Sequence, residues 1–353
     1  MNLLLASGTP HLPQLSGGLE VNSHLAALEL NRRGHRASVL AKLSVRDGFG
    51  MTRFMANCLA RRDVSRDREL GYDVYRSIRP WSDLRGLDRP DIVVVQNGNM
   101  VEMARNFRRE GIASVAYLHG LEFESGPRAW HGTAADLPFS HYIANSEFTA
   151  DKFQRRFGIR PSVIPPIFPA DEYRTVPRSR NVTFINPVPV KGRDLAFAIA
   201  ERCPEIPFLF VRGWPLSGKA ETALRRQAEA LGNVHLLDRQ SAMKPVYEQT
   251  HILLAPSQWE ETWGRVASEA QFSGIPVLAS LRGGLPEAVG PGGRLLAHDA
   301  SPALWAETLR HMWHDEREHA RLSEAAFAHA ARAEIDIREQ TDRLVAIAEA
   351  AAA

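Results

Sequence analysis

The strongest constraint in this chain is a rhythm. Short apolar runs bounded by turn residues alternate with stretches of helical period, and the series starts, ends and starts again. Alternation of this kind predicts an α/β fold in which parallel sheets are covered by helices on both faces. In the first half the expected strands are Asn2–Ser7, 37–41, 91–96, 114–119 and 141–146, with the β-branched run after Asp91 buried on both faces. A helix from about Leu19 follows the first strand and closes at Asn31-Arg32-Arg33-Gly34, where cations and a glycine supply the usual stop. From 162 to 180 the chain turns proline-rich, the composition of an exposed interdomain linker. The second series of strands is expected at 182–186, 208–212, Val234–Leu237, 252–256, 276–280 and 294–297, with only helical patterns after about Ser301. The reading is two parallel-sheet domains, 1–168 and 177–330, with a helix at about 335–353 crossing back to the first.

Size agrees with two cores, since 353 residues exceed what one hydrophobic core usually supports. A chain that is 44% hydrophobic and 24% charged is neither disordered nor a disulfide scaffold. Lys plus Arg number 43 against 41 Asp plus Glu, a net charge of +2, too balanced for nucleic acid to be the main partner. Cys58 and Cys203 form no ligand spacing, so neither a structural zinc nor a disulfide is expected. The N-terminus has no basic region and only a short apolar run, which reads as a strand rather than a signal peptide and points to the cytoplasm.

In open parallel sheets ligands bind beyond the carboxyl ends of the strands, and two such sheets facing each other share a cleft. Residues just after strands are therefore the candidates. Gly17-Gly18 follow the first strand at a helix start, where backbone N–H groups and the helix dipole suit an anion; the same pair also serves as a simple tight turn. His119-Gly120 stands at another strand end, suited to orienting a hydroxyl or moving a proton, or to bonding nearby backbone. After the first strand of the second series come Asn186 and, past a proline-stiffened turn, Lys191-Gly192-Arg193. The chain has only five lysines, and an ammonium on a flexible stem suits a diphosphate; a solvated lysine at a helix start, where the dipole disfavours it, is the plainer alternative. The stretch from Ala255 to Ala270 carries Glu261 in a loop and Glu269 about one and a half turns into a helix starting near Gly264. There a nucleotide sugar would set its sugar on Glu261, its phosphates over the N–H groups of Gly264, Arg265 and Val266, and its ribose on Glu269; ordinary helix-start acids have the same spacing.

The run Pro256-Ser257 through Glu261, Gly264, Glu269-Ala270, Gly274-Ile275-Pro276-Val277 and Gly283-Gly284-Leu285-Pro286-Glu287 resembles the retaining GT-B glycosyltransferases of family 4. Gly17-Gly18, His119-Gly120, Asn145-Ser146, Val163-Ile164-Pro165 and Lys191-Gly192 fall in the corresponding order, so the resemblance spans about residues 1–310. It implies two Rossmann-like domains facing across a cleft, and transfer of a sugar from a nucleotide-diphosphate sugar to a hydroxyl acceptor. It also implies no cofactor and no metal. By the resemblance Glu261 holds sugar hydroxyls, Glu269 the ribose, Lys191 the diphosphate and His119 the donor sugar, while Gly17-Gly18 approach sugar and phosphate. The leaving diphosphate would help deprotonate the acceptor on the same face, so the protein's task is charge stabilisation in a water-poor site.

Two departures stand out. The family's Gly-Arg pair at the end of the second domain's first strand is Asn186-Pro187 here, and Arg212 or Arg193 is the candidate to replace the missing arginine. The usual Glu-Pro-Phe-Gly is Glu261-Thr262-Trp263-Gly264, a preserved turn with altered packing. The competing readings are a nucleotide-sugar 2-epimerase on the same architecture and a catalytically silent nucleotide-sugar-binding protein. Residues 31–110 hold 17 Lys plus Arg against 10 Asp plus Glu, an excess of seven, which suits either peripheral contact with an anionic membrane or a solvated arginine-rich face. The loops 45–73 and 122–138 would shape the acceptor side.

Overall fold

The structure, a computed structural model, describes residues 1–124 and 130–353, so part of the loop 122–138, expected to shape the acceptor side, lies outside the described residues. It divides into two compact units, Met1–Phe168 with Glu334–Ala353, and Pro169–Ala333.

Among the described residues the first unit is built on eight strands: β1 (Asn2–Ser7), β2 (Arg36–Lys42), β3 (Val64–Asp67), β4 (Val74–Ser77), β5 (Ile92–Asn97), β6 (Ala113–Leu118), β7 (His141–Ala144) and β8 (Ser162–Val163). Their order is β3-β4-β2-β1-β5-β6-β7-β8, all parallel except the β3–β4 pair. The second unit has six parallel strands: β9 (Asn181–Ile185), β10 (Phe208–Val211), β11 (Val234–Leu237), β12 (Thr250–Ala255), β13 (Val277–Ser280) and β14 (Gly293–Leu296). These lie in the order β11-β10-β9-β12-β13-β14. In both sheets the chain winds outward from a central strand, returns, and winds the other way. This doubly wound topology leaves a crevice at the reversal, beyond β1 and β5 in one unit and β9 and β12 in the other.

The apolar strand runs and the inward faces of the helices build cores on both sides of each sheet, in the first unit with Leu3, Leu5, Ile92 and Val94 on one side and Leu4, Val93, Val95 and Phe107 on the other. Trp305, Leu309 and Met312 pack under β9, β10 and β12, while Leu344 and Ala348 of the terminal helix Ile337–Ala352 pack with Leu3, Leu5, Ile92 and Val94 of the first unit.

Three features differ from expectation. The stretch 45–73 is not a plain loop: it holds the helix Gly48–Ala60 and β3, which pairs antiparallel with β4. Both escape a periodicity reading because the helix is apolar on its exposed side and the edge hairpin is rich in Arg and Asp, which blunt an open sheet edge. The proline-rich segment is not exposed at its start, where Ile164, Ile167 and Phe168 are fully buried. Burial is possible because side chains satisfy its backbone: Tyr117 Oη donates to the Ile164 carbonyl (2.7 Å), Gln340 Nε2 to the carbonyls of Pro165 (2.8 Å) and Pro166 (2.9 Å), and the Ile167 N–H donates to Asn22 Oδ1 (2.6 Å). Residues 169–176, left between the domains by the sequence, belong to the second unit, where Tyr173 stacks on Phe272.

His11, 2% exposed, has Nε2 at 2.9 Å from Tyr72 Oη, and His24 Nδ1 lies 2.8 Å from the same oxygen. Burial, and then the nearby Arg76 guanidinium, lower the His11 imidazole from 6.5 to about 3. The folded chain therefore refuses a proton that the unfolded chain accepts below pH 6.5, so this stability is complete above that pH and is lost as pH falls toward 3. Lowering the pH from 7 to 5 is expected to cost on the order of 2 kcal/mol through His11. Urea unfolding midpoints should show this loss reduced in His11→Gln; an equal pH dependence in wild type and variant would refute it.

Candidate active site

The crevice of the second unit is assembled by two loops that are bonded to each other. After β9 the chain passes Asn186 and Pro187, makes one short turn at Pro189–Lys191, and leaves through Gly192 at φ +86°. The Val190 carbonyl accepts the N–H groups of Gln258 and Trp259, both at 3.0 Å, from the loop after β12, and Ser257 Oγ at 3.3 Å. A Cβ on Gly192 would overlap the Pro256 carbonyl oxygen, so this approach admits only glycine. From the other side Gly283 fits against the Glu261 backbone, where a Cβ would overlap its carbonyl oxygen, and the Gly284 N–H donates to that oxygen at 2.6 Å.

This framework brings Lys191 and Glu261 together. The Lys191 ammonium is ion-paired and hydrogen-bonded to Glu261 Oε1, which also accepts from Ser257 Oγ at 3.0 Å. The ammonium lies 5.5 Å from the centre of the Trp214 ring. Both charged groups are partly exposed, so each is the other's counter-ion and both remain open to exchange for a ligand.

Glu269 belongs to a second cluster. Gly264, at φ +102° and close against Leu285, precedes the helix Arg265–Gln271. Glu269 is buried in it, with Tyr247 Oη donating to Oε2 at 2.8 Å and Arg265 Nε 3.4 Å from Oε1. Arg265 also reaches Tyr173 Oη at 3.4 Å. Burial, and then the Glu269 charge, push the Tyr247 and Tyr173 hydroxyls well above the ordinary phenol range, so both act as hydrogen-bond donors or acceptors rather than charges. Val266 sits half-buried in the first turn and Thr262 half-buried in the loop before it. The Trp263 ring does not face outward: it is buried, its Nε1 donates to Ser268 Oγ at 3.0 Å, and Arg332 lies over it at 5.7 Å.

Both candidate arginines are paired with acids: Arg212 with Glu221 and Asp238, and Arg193 through Nε, which donates to Asp194 Oδ1 at 2.8 Å. Asn186 takes the left-handed conformation at φ +63°, and its Oδ1 accepts the Trp214 N–H at 2.9 Å. Its role is to hold the turn after β10, and this side-chain bond shows how a non-glycine residue is kept there.

In the first unit the crevice beyond β1 and β5 contains Gly17-Gly18 and His119. The Gly17 N–H is not bare as the sequence suggests: Glu20 Oε2 accepts it at 2.9 Å, and Thr9 Oγ1 donates to Glu20 Oε1 at 3.4 Å. Burial raises the Glu20 carboxyl above its usual range. A glutamate three residues after a helix cap is the known signature for this bond, and it was readable in the sequence. His119 Nε2 lies 3.0 Å from Gln96 Oε1, which also accepts from Ser23 Oγ at 3.1 Å, and the imidazole packs 4.0 Å from the Tyr117 ring. With an amide oxygen as partner, Nε2 is a nitrogen that carries a proton. Ser257 lies in the run that carries the family resemblance, whereas Gln96, Tyr247 and Trp214 had no signal of their own in the sequence, because each is defined by what it touches.

Comparison with known proteins follows the same division. The pattern of the glycosyl transferases group 1 matches residues 188–329, and that of Glycosyltransferase Family 4 matches 16–172. The crystal structure of Anabaena HepE in complex with UDP is 21% identical, covers 99% of this chain and 100% of its own, and superposes with a TM-score of 0.74. A glycosyltransferase from Rickettsia africae, 13% identical, covers 99% of this chain and 98% of its own with a TM-score of 0.71. The fold is that of the two-domain GT-B class. Its two halves match the two family patterns in order, and the chain belongs to the glycosyltransferases of family 4, group 1. Among curated relatives, D-inositol 3-phosphate glycosyltransferase of Mycolicibacterium smegmatis is 36% identical over 163 residues, 42% of this chain and 36% of that protein. The Corynebacterium glutamicum protein of the same name is 40% identical over 112 residues, 30% of this chain and 27% of its own length. The matched stretches thus span about a third of these relatives.

If the two loops are locked as described, Gly192→Ala should cost about 3 kcal/mol, from the left-handed backbone together with the overlap at Pro256. Gly232, also left-handed but with open space around it, is the comparison: Gly232→Ala should cost only about 1 kcal/mol. Equal unfolding midpoints for the two variants would show that the loops are not coupled through this contact.

Proposed function

We propose that this chain transfers a sugar from a nucleoside-diphosphate sugar to a hydroxyl acceptor, with retention of configuration and without a metal. The observation that carries the reading is the Lys191–Glu261 pair, held at the reversal point of a doubly wound sheet by two interlocked loops. A cation and a hydrogen-bond acceptor side by side match a ligand with a phosphate next to a polyol. Lys191 would leave Glu261 for the diphosphate, and Glu261 would take sugar hydroxyl protons instead. In the reaction the bond from the anomeric carbon to the diphosphate oxygen breaks, and the acceptor oxygen bonds to that carbon from the same face. The acceptor's proton passes to the departing phosphate oxygen. Lys191 stabilises the charge that develops there, and Glu269 holds the ribose. The UDP bound in the HepE crystal structure and the names of the relatives make UDP-sugars and inositol phosphates the first probes.

With a panel of donors and acceptors, Lys191→Ala should lower turnover by about 10²–10³-fold and Glu261→Gln by about tenfold or more. Turnover should survive treatment with a chelator. Wild-type rates in both variants would overturn the assignment. Sugar epimerised without any acceptor would favour an epimerase, and donor binding without transfer or hydrolysis a binding protein.

The chain is further proposed to work in the cytoplasm, against the anionic inner leaflet of the cell membrane. Support comes from the helix Gly48–Ala60, whose apolar stripe faces outward: Met51, Phe54, Met55 and Leu59 are exposed, Leu59 by 86%, while Gly50 and Asn57 face inward. Exposed Arg46, Arg61 and Arg62 flank it. An apolar stripe bordered by cations suits a helix lying in a headgroup layer. No helix among the described residues is long and apolar enough to cross a membrane. Vesicles containing phosphatidylglycerol should co-sediment the protein at low salt, and Met55→Glu with Leu59→Glu should abolish this; failure of the wild type to bind would reject the contact.

A further inference from the structure

Trp214 is an unusual residue to leave in water. It follows β10 at the carboxyl end of the sheet, and 48% of its surface is exposed although it lies beside the Lys191–Glu261 pair. Three contacts hold it there. Its N–H donates to Asn186 Oδ1 at 2.9 Å. The preceding Gly213 comes so close to Asn186 that a Cβ would sit 2.9 Å from the asparagine's side-chain atoms. The ring itself lies 5.5 Å from the Lys191 ammonium. Asn186 is in turn buried and bonded through its own N–H to the Val211 carbonyl at 2.7 Å. The strand ends of β9 and β10 therefore cooperate to present an indole face next to the lysine.

The Asn186 side chain thus fixes the Trp214 backbone. Arg212, two residues before the ring, is ion-paired with Glu221 and Asp238. An exposed ring held beside a lysine offers ring-face recognition next to phosphate binding.

We propose that Trp214 is a stacking platform for a ring of the ligand whose phosphates Lys191 binds, the nucleobase or the sugar. The inference rests on the nucleotide-sugar reading of this site. A flat indole adds affinity to any ligand with a ring face and none to a bare phosphate chain, because base and aromatic surfaces attract through stacking. The Lys191 ammonium beside it strengthens the site before the ligand arrives, since a cation near an indole is itself favourable.

Calorimetric titration of wild type, Trp214→Ala and Trp214→Phe with inorganic pyrophosphate, with UDP, GDP, ADP and dTDP, and with the UDP-, GDP-, ADP- and dTDP-glucose conjugates tests this. The expected result is that Trp214→Ala weakens the best-bound nucleotide or nucleotide sugar by about tenfold or more, leaves pyrophosphate affinity unchanged, and is largely rescued by Trp214→Phe. A loss shared by the nucleotide and its sugar conjugate assigns the platform to the base; a loss confined to the conjugate assigns it to the sugar. Unchanged affinity of Trp214→Ala for every nucleotide and conjugate overturns the platform while leaving the nucleotide site standing. An equal loss for pyrophosphate overturns it too, since the ring would then act only through Lys191. Absence of all binding to the wild type overturns both the platform and the reading beneath it.

Discussion

The close approach of two loops, Val188–Gly192 after β9 and Pro256–Glu261 after β12, is the contact on which the site depends. One carbonyl, that of Val190, receives two backbone N–H groups and a serine hydroxyl from the opposite loop. Gly192 permits the approach and the Gly283-Gly284 turn supports it from behind. Only because the backbones are sewn together does a lysine 70 residues from a glutamate share a hydrogen bond with it. The side chains themselves are long and flexible, and without this seam they would each be solvated separately.

The ion pair also explains how charged groups are kept half-buried before a ligand arrives. An unpaired ammonium or carboxylate withdrawn from water is costly, and a pair with a third hydrogen bond from Ser257 is much less so. Such a pair is preorganised yet open to exchange, since both partners are partly exposed. Glu269 follows the same logic more deeply in the fold, where Tyr247 and Arg265 hold its carboxylate in place. In the first unit the corresponding loops are tied by neutral or singly charged groups: Glu20 on the Gly17 N–H, and the Ser23–Gln96–His119 chain.

Much of this was readable in the linear chain. The six strands of the second unit were placed within two residues, because buried parallel strands are short, apolar and framed by turn residues. The glycines stood out because they follow strands; the two glutamates share the spacing of ordinary helix-start acids and are singled out by the family resemblance. The helix Gly48–Ala60 and the β3–β4 edge were missed because neither buries a regular apolar face. The opening of the proline-rich segment was misjudged because its burial rests on Tyr117, Asn22 and Gln340, the last of them about 175 residues away.

By itself the sequence determined the two nucleotide-type sheets, the strand ends where chemistry belongs, and the family, since all of these follow from local periodicity and from residues at fixed distance along the chain. Tertiary structure alone decided the partners: that Lys191 meets Glu261 while Glu269 meets Tyr247, that Glu20 fills the Gly17 N–H, that Arg212 is already neutralised, and that Asn186 props up Trp214. Hydrogen bonds and ion pairs act over a few ångströms, and which groups come within that range is set by how separate strands are ordered in a sheet, a relation that spacing along the chain does not encode.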